Sequence, residues 1–197
     1  TDLIFPHHQN EIAQSESATG APLSRFWLHS AFVNIAGAKM SKSLGNIITL
    51  KNLAEKDASP FAYRYLLLTA HYRTLLNFTW DSLTAASVAY RKLRQQVTEL
   101  ATSAGDNPGV PIQECLNRFT SAVNDDLNLP LALVVVWQLL ADRSPTPSDR
   151  LATLLEFDKI FGLDLISASQ PIEISPEIRN LLVERETARR IGDFSRS

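Results

Sequence analysis

The stretch TWDSLTAASVAYRKLRQQVTELATSAG, residues 79–105, decides the fold. Leu83, Ala86, Tyr90, Leu93, Val97 and Leu100 recur at alternating spacings of three and four, the period of a helix with one narrow apolar seam. Gly105 supplies the stop. A seam of this kind must be covered, and the segments 112–126, 129–141 and 147–161 have the length and apolar content to cover it. An antiparallel bundle of about five helices is therefore expected from residue 79 onward. Ser59-Pro60, Thr146-Pro147 and Ser175-Pro176 each set a capping side chain before a proline at the first helical position, where a missing N–H costs nothing.

Upstream the pattern changes. Leu3-Ile4-Phe5 is a short apolar run stopped by Pro6, and residues 7–19 form a polar, helix-like stretch ended by Gly20 and Pro22. Phe26-Trp27-Leu28-His29 and Phe32-Val33-Asn34-Ile35 are aromatic and β-branched, with Ala36-Gly37 as a turn before Lys39. These features predict a strand, a helix and two further strands up to about Asn46, the tail of an α/β domain. So few strands cannot close a sheet covered on both faces, so the N-terminal half of this domain is expected to be missing. From Thr49 onward no strand is expected.

The composition is that of a globular chain: 197 residues, 45% hydrophobic, 20% charged, only 7 glycines. No apolar run approaches the roughly 20 residues of a membrane span. The single cysteine, Cys115, allows no internal disulfide and no CxxC metal knuckle, which suits the reducing cytoplasm. A formal net charge of -2 excludes a global electrostatic attraction for nucleic acid, so any RNA contact must be local. The two basic clusters, residues 91–94 and 185–190, fall on predicted helices, where a solvated face is the commoner meaning.

Two segments carry chemistry. In His7-His8-Gln9-Asn10-Glu11, His7 and Glu11 are four apart and share a helix face. Both are competent zinc ligands, but a pair does not complete a four-coordinate site, and a surface hydrogen bond explains the spacing equally well. HExxH is absent, so metal-assisted peptide hydrolysis has no support. In Lys39-Met40-Ser41-Lys42-Ser43-Leu44-Gly45-Asn46, two lysines and two hydroxyls share a small loop closed by glycine. Point charges with hydroxyl and amide donors suit a triphosphate, although by composition alone a solvated turn would look the same.

The loop KMSKS, preceded by FPHHQNEIAQSE and FWLHSAFVN, resembles the second signature of class I aminoacyl-tRNA synthetases and, in its spacing, cysteinyl-tRNA synthetases in particular. The family's HHENE appears here as HHQNE. The likeness runs on through Tyr63-Arg64-Tyr65-Leu66-Leu67, His71-Tyr72-Arg73 and Leu76-Asn77-Phe78, then loosens around Asn124-Asp125-Asp126-Leu127-Asn128 and Asp193-Phe194.

The resemblance implies a fold and a chemistry. The fold is the α/β remnant of a Rossmann-like catalytic domain followed by an all-α helical bundle, mainly α overall. Residues 1–48 would end the catalytic domain, 49–78 would connect in the manner of a stem-contact segment, and 79–197 would form a DALR-like, tRNA-binding bundle. The chemistry is ATP-dependent activation of cysteine to cysteinyl-adenylate and transfer to tRNA(Cys). Zinc would grip the substrate thiol through His7, Glu11 and two cysteines from earlier in the family's sequence. ATP with magnesium is a substrate: Lys42 matches the family's ATP-binding position, Lys39 assists on the leaving phosphates, and Ser41 and Ser43 line the cradle. His8, Trp27 and His29 would wall the amino-acid pocket. The resemblance further implies a cytoplasmic monomer without membrane contact. Lacking the family's HIGH segment and both cysteines, this chain alone is expected to be inactive. Two other readings stand beside it: a mycothiol-pathway ligase joining cysteine to an amino sugar, and a non-catalytic module keeping only tRNA or protein contacts.

Overall fold

The computed structural model describes residues 2–41 and 43–169, together with Leu181 and Arg185. Lys42, the helix start expected at Ser175-Pro176, the segment around Asp193-Phe194 and most of the basic cluster 185–190 lie outside the described residues.

The elements run π-helical turn Ile4–His8, α1 Gln9–Thr19, β1 Val33–Ile35, β2 Ala38–Lys39, α2 Leu50–Ala54, α3 Pro60–Leu68, β3 Leu76–Phe78, α4 Trp80–Ala104, α5 Gln113–Asn124, α6 Leu129–Ala141, α7 Pro147–Phe161 and α8 Leu165–Ser169. The chain is mainly α. The long helix expected from the seam is α4, and all six seam residues are buried, Leu93 and Val97 completely. Its first turn is held by a capping box, in which Thr79 accepts from the Ser82 amide and Ser82 accepts from the Thr79 amide. The proline-led starts at Ser59 and Thr146 are the N-caps of α3 and α7. Helices α3, α7 and α8 pack on α4, and α5 pairs with α6. The core of the bundle stacks Phe119 on Phe157 at 4.2 Å between centroids, with Phe161 edge-on at 5.2 Å. None of the described helices is long and apolar enough to cross a membrane.

Three strand expectations need correction. Leu3-Ile4-Phe5 is not a strand: the His8 amide donates to the Leu3 carbonyl at 2.9 Å and closes a turn, and no strand among the described residues pairs with this run. Nor is Phe26–His29 a strand. It pairs with no strand among the described residues, and none of its four side chains is buried. Conversely, a strand does follow Thr49. Leu76–Phe78, within the connecting segment, pairs in parallel with β1 in the register Val33–Leu76, Asn34–Asn77, Ile35–Phe78. The sheet order is β2-β1-β3, with β1 and β2 joined as an antiparallel hairpin across Ala36-Gly37.

Phe78 explains why β3 sits there. Its ring is 2% exposed, lies edge-on to Trp80 at 5.4 Å and to Tyr63 at 6.0 Å, and so ties the sheet to α3 and the start of α4. The sheet is thereby fixed on the end of the bundle. Residues 2–32, by contrast, contribute no buried side chain. Leu3, Ile4, Phe5, Leu23, Phe26 and Leu28 all remain exposed, an apolar surface that the bundle does not cover.

Candidate functional site

The loop of residues 39–46 leaves the hairpin at the end of β2. Asn46 folds it back: its Oδ1 accepts from the Ser41 amide at 2.8 Å and its Nδ2 donates to the Lys39 carbonyl at 3.1 Å. Inside this clasp the Ser41 and Ser43 hydroxyls are 3.2 Å apart, and Ser41 Oγ accepts from the Leu44 amide. Gly45 takes φ 62°, a left-handed turn that glycine enters without steric cost. Lys39 is exposed, with Nζ 5.3 Å above the Phe32 ring, so its charge is held over that ring and open to solvent. An exposed lysine and two converging hydroxyls on a closed loop can cradle phosphate oxygens. Sequence reading did not single out Asn46. The signal was available, since an Asn that ends a Gly-containing loop is a common backbone clasp.

A second group forms on the first helix. His8, Trp27 and His29 come together: His8 Nδ1 and His29 Nε2 are 2.8 Å apart, His8 lies 4.8 Å from Trp27 by ring centroids, and Trp27 stacks nearly parallel to His29 at 6.3 Å. In this hydrogen bond one imidazole donates and the other accepts, so at least one ring must be neutral there. The His29 pKa is lowered, first by partial desolvation and then by the neighbouring His8, which favours its neutral form. Trp27 is 40% exposed, so the trio presents a ring wall to solvent.

His7 lies near the end of the kinked turn Ile4–His8, whose Phe5 is extended, and Glu11 lies in the first turn of α1; both are exposed. Four-residue spacing puts them on one side of the helical backbone. Among the described residues, no three His, Cys, Asp or Glu side chains converge as a metal site would require. The pair therefore fits a zinc ion only as half of a tetrahedral donor set. Cys115 is on α5 in the bundle, with its thiol pKa raised by burial, and takes no part.

The contact between the two parts of the chain was not read from sequence. Asp126 follows α5 in the left-handed region, φ 52°, as does Leu127 at 55°, conformations that cost L residues strain. This turn aims Asp126 at the segment 71–73. Tyr72 donates its hydroxyl to Oδ1 at 2.7 Å, Arg73 reaches Oδ2 at 2.8 Å through Nε, and His71 Nε2 lies 2.9 Å from the Asp126 carbonyl. The Tyr72 hydrogen bond, ahead of the Arg73 charge, holds the Asp126 carboxyl below the usual carboxylate range. Both segments had been noted for their likeness to the family, but nothing in either predicts that they meet.

Arg94, in the first basic cluster, donates to Ser167 at 3.1 Å and thus helps hold α8 on α4. This gives that residue a structural use.

Residues 1–88 match the family model described as the catalytic domain of class I (C) tRNA synthetases. The whole chain is 40% identical to cysteine–tRNA ligase 1 of Burkholderia lata, covering 41% of that protein. It is 37% identical to the cysteine–tRNA ligase of Microcystis aeruginosa and 40% to that of Chlamydia felis, spanning 45% and 44% of them. The chain thus spans less than half the length of these relatives. Among solved structures it is similar to LeuRS of Agrobacterium radiobacter K84, solved with tRNA and LeuAMS. The TM-score is 0.58 at 15% identity, over 74% of this chain and 23% of that one, a likeness of fold alone. By these matches the chain is similar throughout its length to cysteine–tRNA ligases, and its first 88 residues match the catalytic domain of class I (C) tRNA synthetases.

Proposed function

We propose that this chain serves an ATP-dependent cysteine–tRNA ligase, contributing the phosphate-binding loop, part of the amino-acid pocket and a tRNA-facing helical domain. The observation that carries the reading is the clasped loop of residues 39–46, on a chain 40% identical throughout to a cysteine–tRNA ligase. Residues 1–48 act as the catalytic portion, 49–78 as the connection and 79–197 as the RNA-binding bundle. The protein works as a cytoplasmic monomer.

Two steps are needed. A carboxylate oxygen of cysteine attacks the α-phosphorus of magnesium-bound ATP; the new P–O bond forms as the bond to the β-phosphate breaks, and pyrophosphate leaves. A ribose hydroxyl at the end of tRNA(Cys) then attacks the acyl carbon, and AMP leaves. Negative charge grows on the phosphates in the first step. Lys42 and Lys39 meet it with fixed positive charge, while the Ser41 and Ser43 hydroxyls hold the oxygens in place. His8, Trp27 and His29 wall the cysteine side of the site. His7 and Glu11 would supply two of the donors for a zinc ion, whose remaining donors would come from outside the described residues. When bound, that metal prefers the substrate thiolate to a serine hydroxyl, which is the source of selectivity.

The test uses the full-length protein. Cysteine-dependent exchange of labelled pyrophosphate into ATP should be present, and serine should not replace cysteine. In single-turnover experiments Lys42→Ala should slow adenylate formation by on the order of a hundred- to a thousandfold, with little change in transfer from preformed adenylate to tRNA. Transfer of cysteine from the adenylate to an amino sugar instead of tRNA would favour the mycothiol-pathway ligase. No exchange at all, in a folded protein with zinc present, would leave only a binding module.

A further inference from the structure

We propose that Asp126 is a positioning residue for the His8–Trp27–His29 group, acting from the helical bundle through Tyr72 and the Ala31 amide. The inference rests on reading those three rings as the amino-acid side of the site.

Packing does not hold the ring-bearing segment in place. Between it and the bundle lies a cavity of about 410 Å³, lined by Leu28, Ala31 and Phe32 on one side and by Leu67, Leu76 and Leu127 on the other. Residues 21–32 form no helix or strand. What connects them to the bundle is polar. The Ala31 amide donates to the Tyr72 carbonyl at 2.7 Å, and the Leu76 amide donates to the Phe32 carbonyl at 3.2 Å. Ala31 is two residues from His29, so the place of the His29 ring follows the place of Tyr72.

Tyr72 in turn is fixed by Asp126. Its hydroxyl bonds Oδ1, and Arg73 both pairs with the carboxylate and donates from Nε to the Tyr72 oxygen at 2.9 Å. Asp126 therefore holds two consecutive residues of the strap that carries Ala31. The turn that presents it has two successive left-handed non-glycine residues, a conformation kept only where surroundings impose it. The relay gives the bundle a route to the pocket. A shift of the turn between α5 and α6 moves the strap and with it His29.

The test is NMR of the 197-residue chain with ¹⁵N-labelled histidine. Its four imidazoles are assigned by single replacements, and His8→Ala supplies the reference for His29 without its partner. Asp126→Ala and Tyr72→Phe should each move the His29 ring nitrogens toward that reference, with loss of the His8–His29 hydrogen-bond signature. The double variant should add nothing beyond either single one. Asp126→Asn keeps an oxygen for the Tyr72 hydroxyl and should retain the native His29 signals. Asp149→Ala, which loosens the bundle where Asp149 accepts from the Val110 amide, should lower stability and leave the rings alone. Unchanged His8 and His29 signals in a folded Asp126→Ala chain would overturn the proposal, as would equal ring shifts in Asp149→Ala. These spectra require neither cysteine nor ATP. The relay can therefore fail while the ligase reading stands on pyrophosphate exchange, or the reverse.

Discussion

Asn46 clasps Lys39: its side-chain nitrogen donates to the Lys39 carbonyl at 3.1 Å while its oxygen takes the Ser41 amide at 2.8 Å, so the loop closes on one side chain. Asn46→Ala removes both bonds from a loop whose neighbours are largely exposed. The thermal midpoint of the protein should hardly move. Adenylate formation by the full-length protein should fall by about a hundredfold, the effect of roughly an ångström of misplacement in a charge-stabilising group. Pyrophosphate exchange at the native rate would show that the loop needs no clasp.

Leu93 lies in the middle of α4 with no exposed surface. Leu93→Ala should cost about 2 to 5 kcal/mol, since the transfer term and the residual cavity both count. Leu131, in the first turn of α6, is 47% exposed. Leu131→Ala should cost much less, and urea unfolding of the two variants measures the contrast.

Gly109 has φ 63°, and a Cβ built on it would stand 2.2 Å from the Ser148 carbonyl oxygen. That carbonyl is backbone in the first turn of α7, which Asp149 and Thr153 bind to this same segment by accepting from the Val110 and Ile112 amides. Gly109→Ala should therefore destabilise by more than the ~1–2 kcal/mol of the left-handed backbone alone. Gly45 has φ 62° with open space around it, so Gly45→Ala should show only the backbone strain. Equal losses in the two, measured by thermal unfolding, would contradict the close approach.

Burial pushes the Tyr90 and Tyr65 phenols above the usual tyrosine range; Tyr90 donates to the Leu163 carbonyl at 2.8 Å, and Tyr65 accepts from the Trp137 indole at 3.0 Å. With raised folded-state values, the folded chain holds these protons after the unfolded chain has released them. Their contribution is complete below the unfolded value of about 10 and is lost as pH rises beyond it. Stability measured from pH 8 upward should decline first through the Cys115 thiol, which burial also raises, and then more steeply near pH 10 through the two phenols. Tyr90→Phe should make that decline shallower.

The sequence by itself determined the helices. The seam of α4, the caps at Ser59, Thr79 and Thr146, and the stop at Gly105 are all local. A helix bonds residues four apart, so its period and its ends are written within one stretch of chain. The loop 39–46 was legible for the same reason. Tertiary structure alone decided that Phe26–His29 stays out of the sheet while Leu76–Phe78 joins it beside β1, across 43 residues (76 − 33). A three-residue strand has too little periodicity to announce itself, and its pairing depends on where Phe78 can be buried between Tyr63 and Trp80. The same holds for the site. His8 and His29 are 21 residues apart and Tyr72 and Asp126 are 54 apart. Such contacts depend on where separate elements come to rest, which local spacing does not encode.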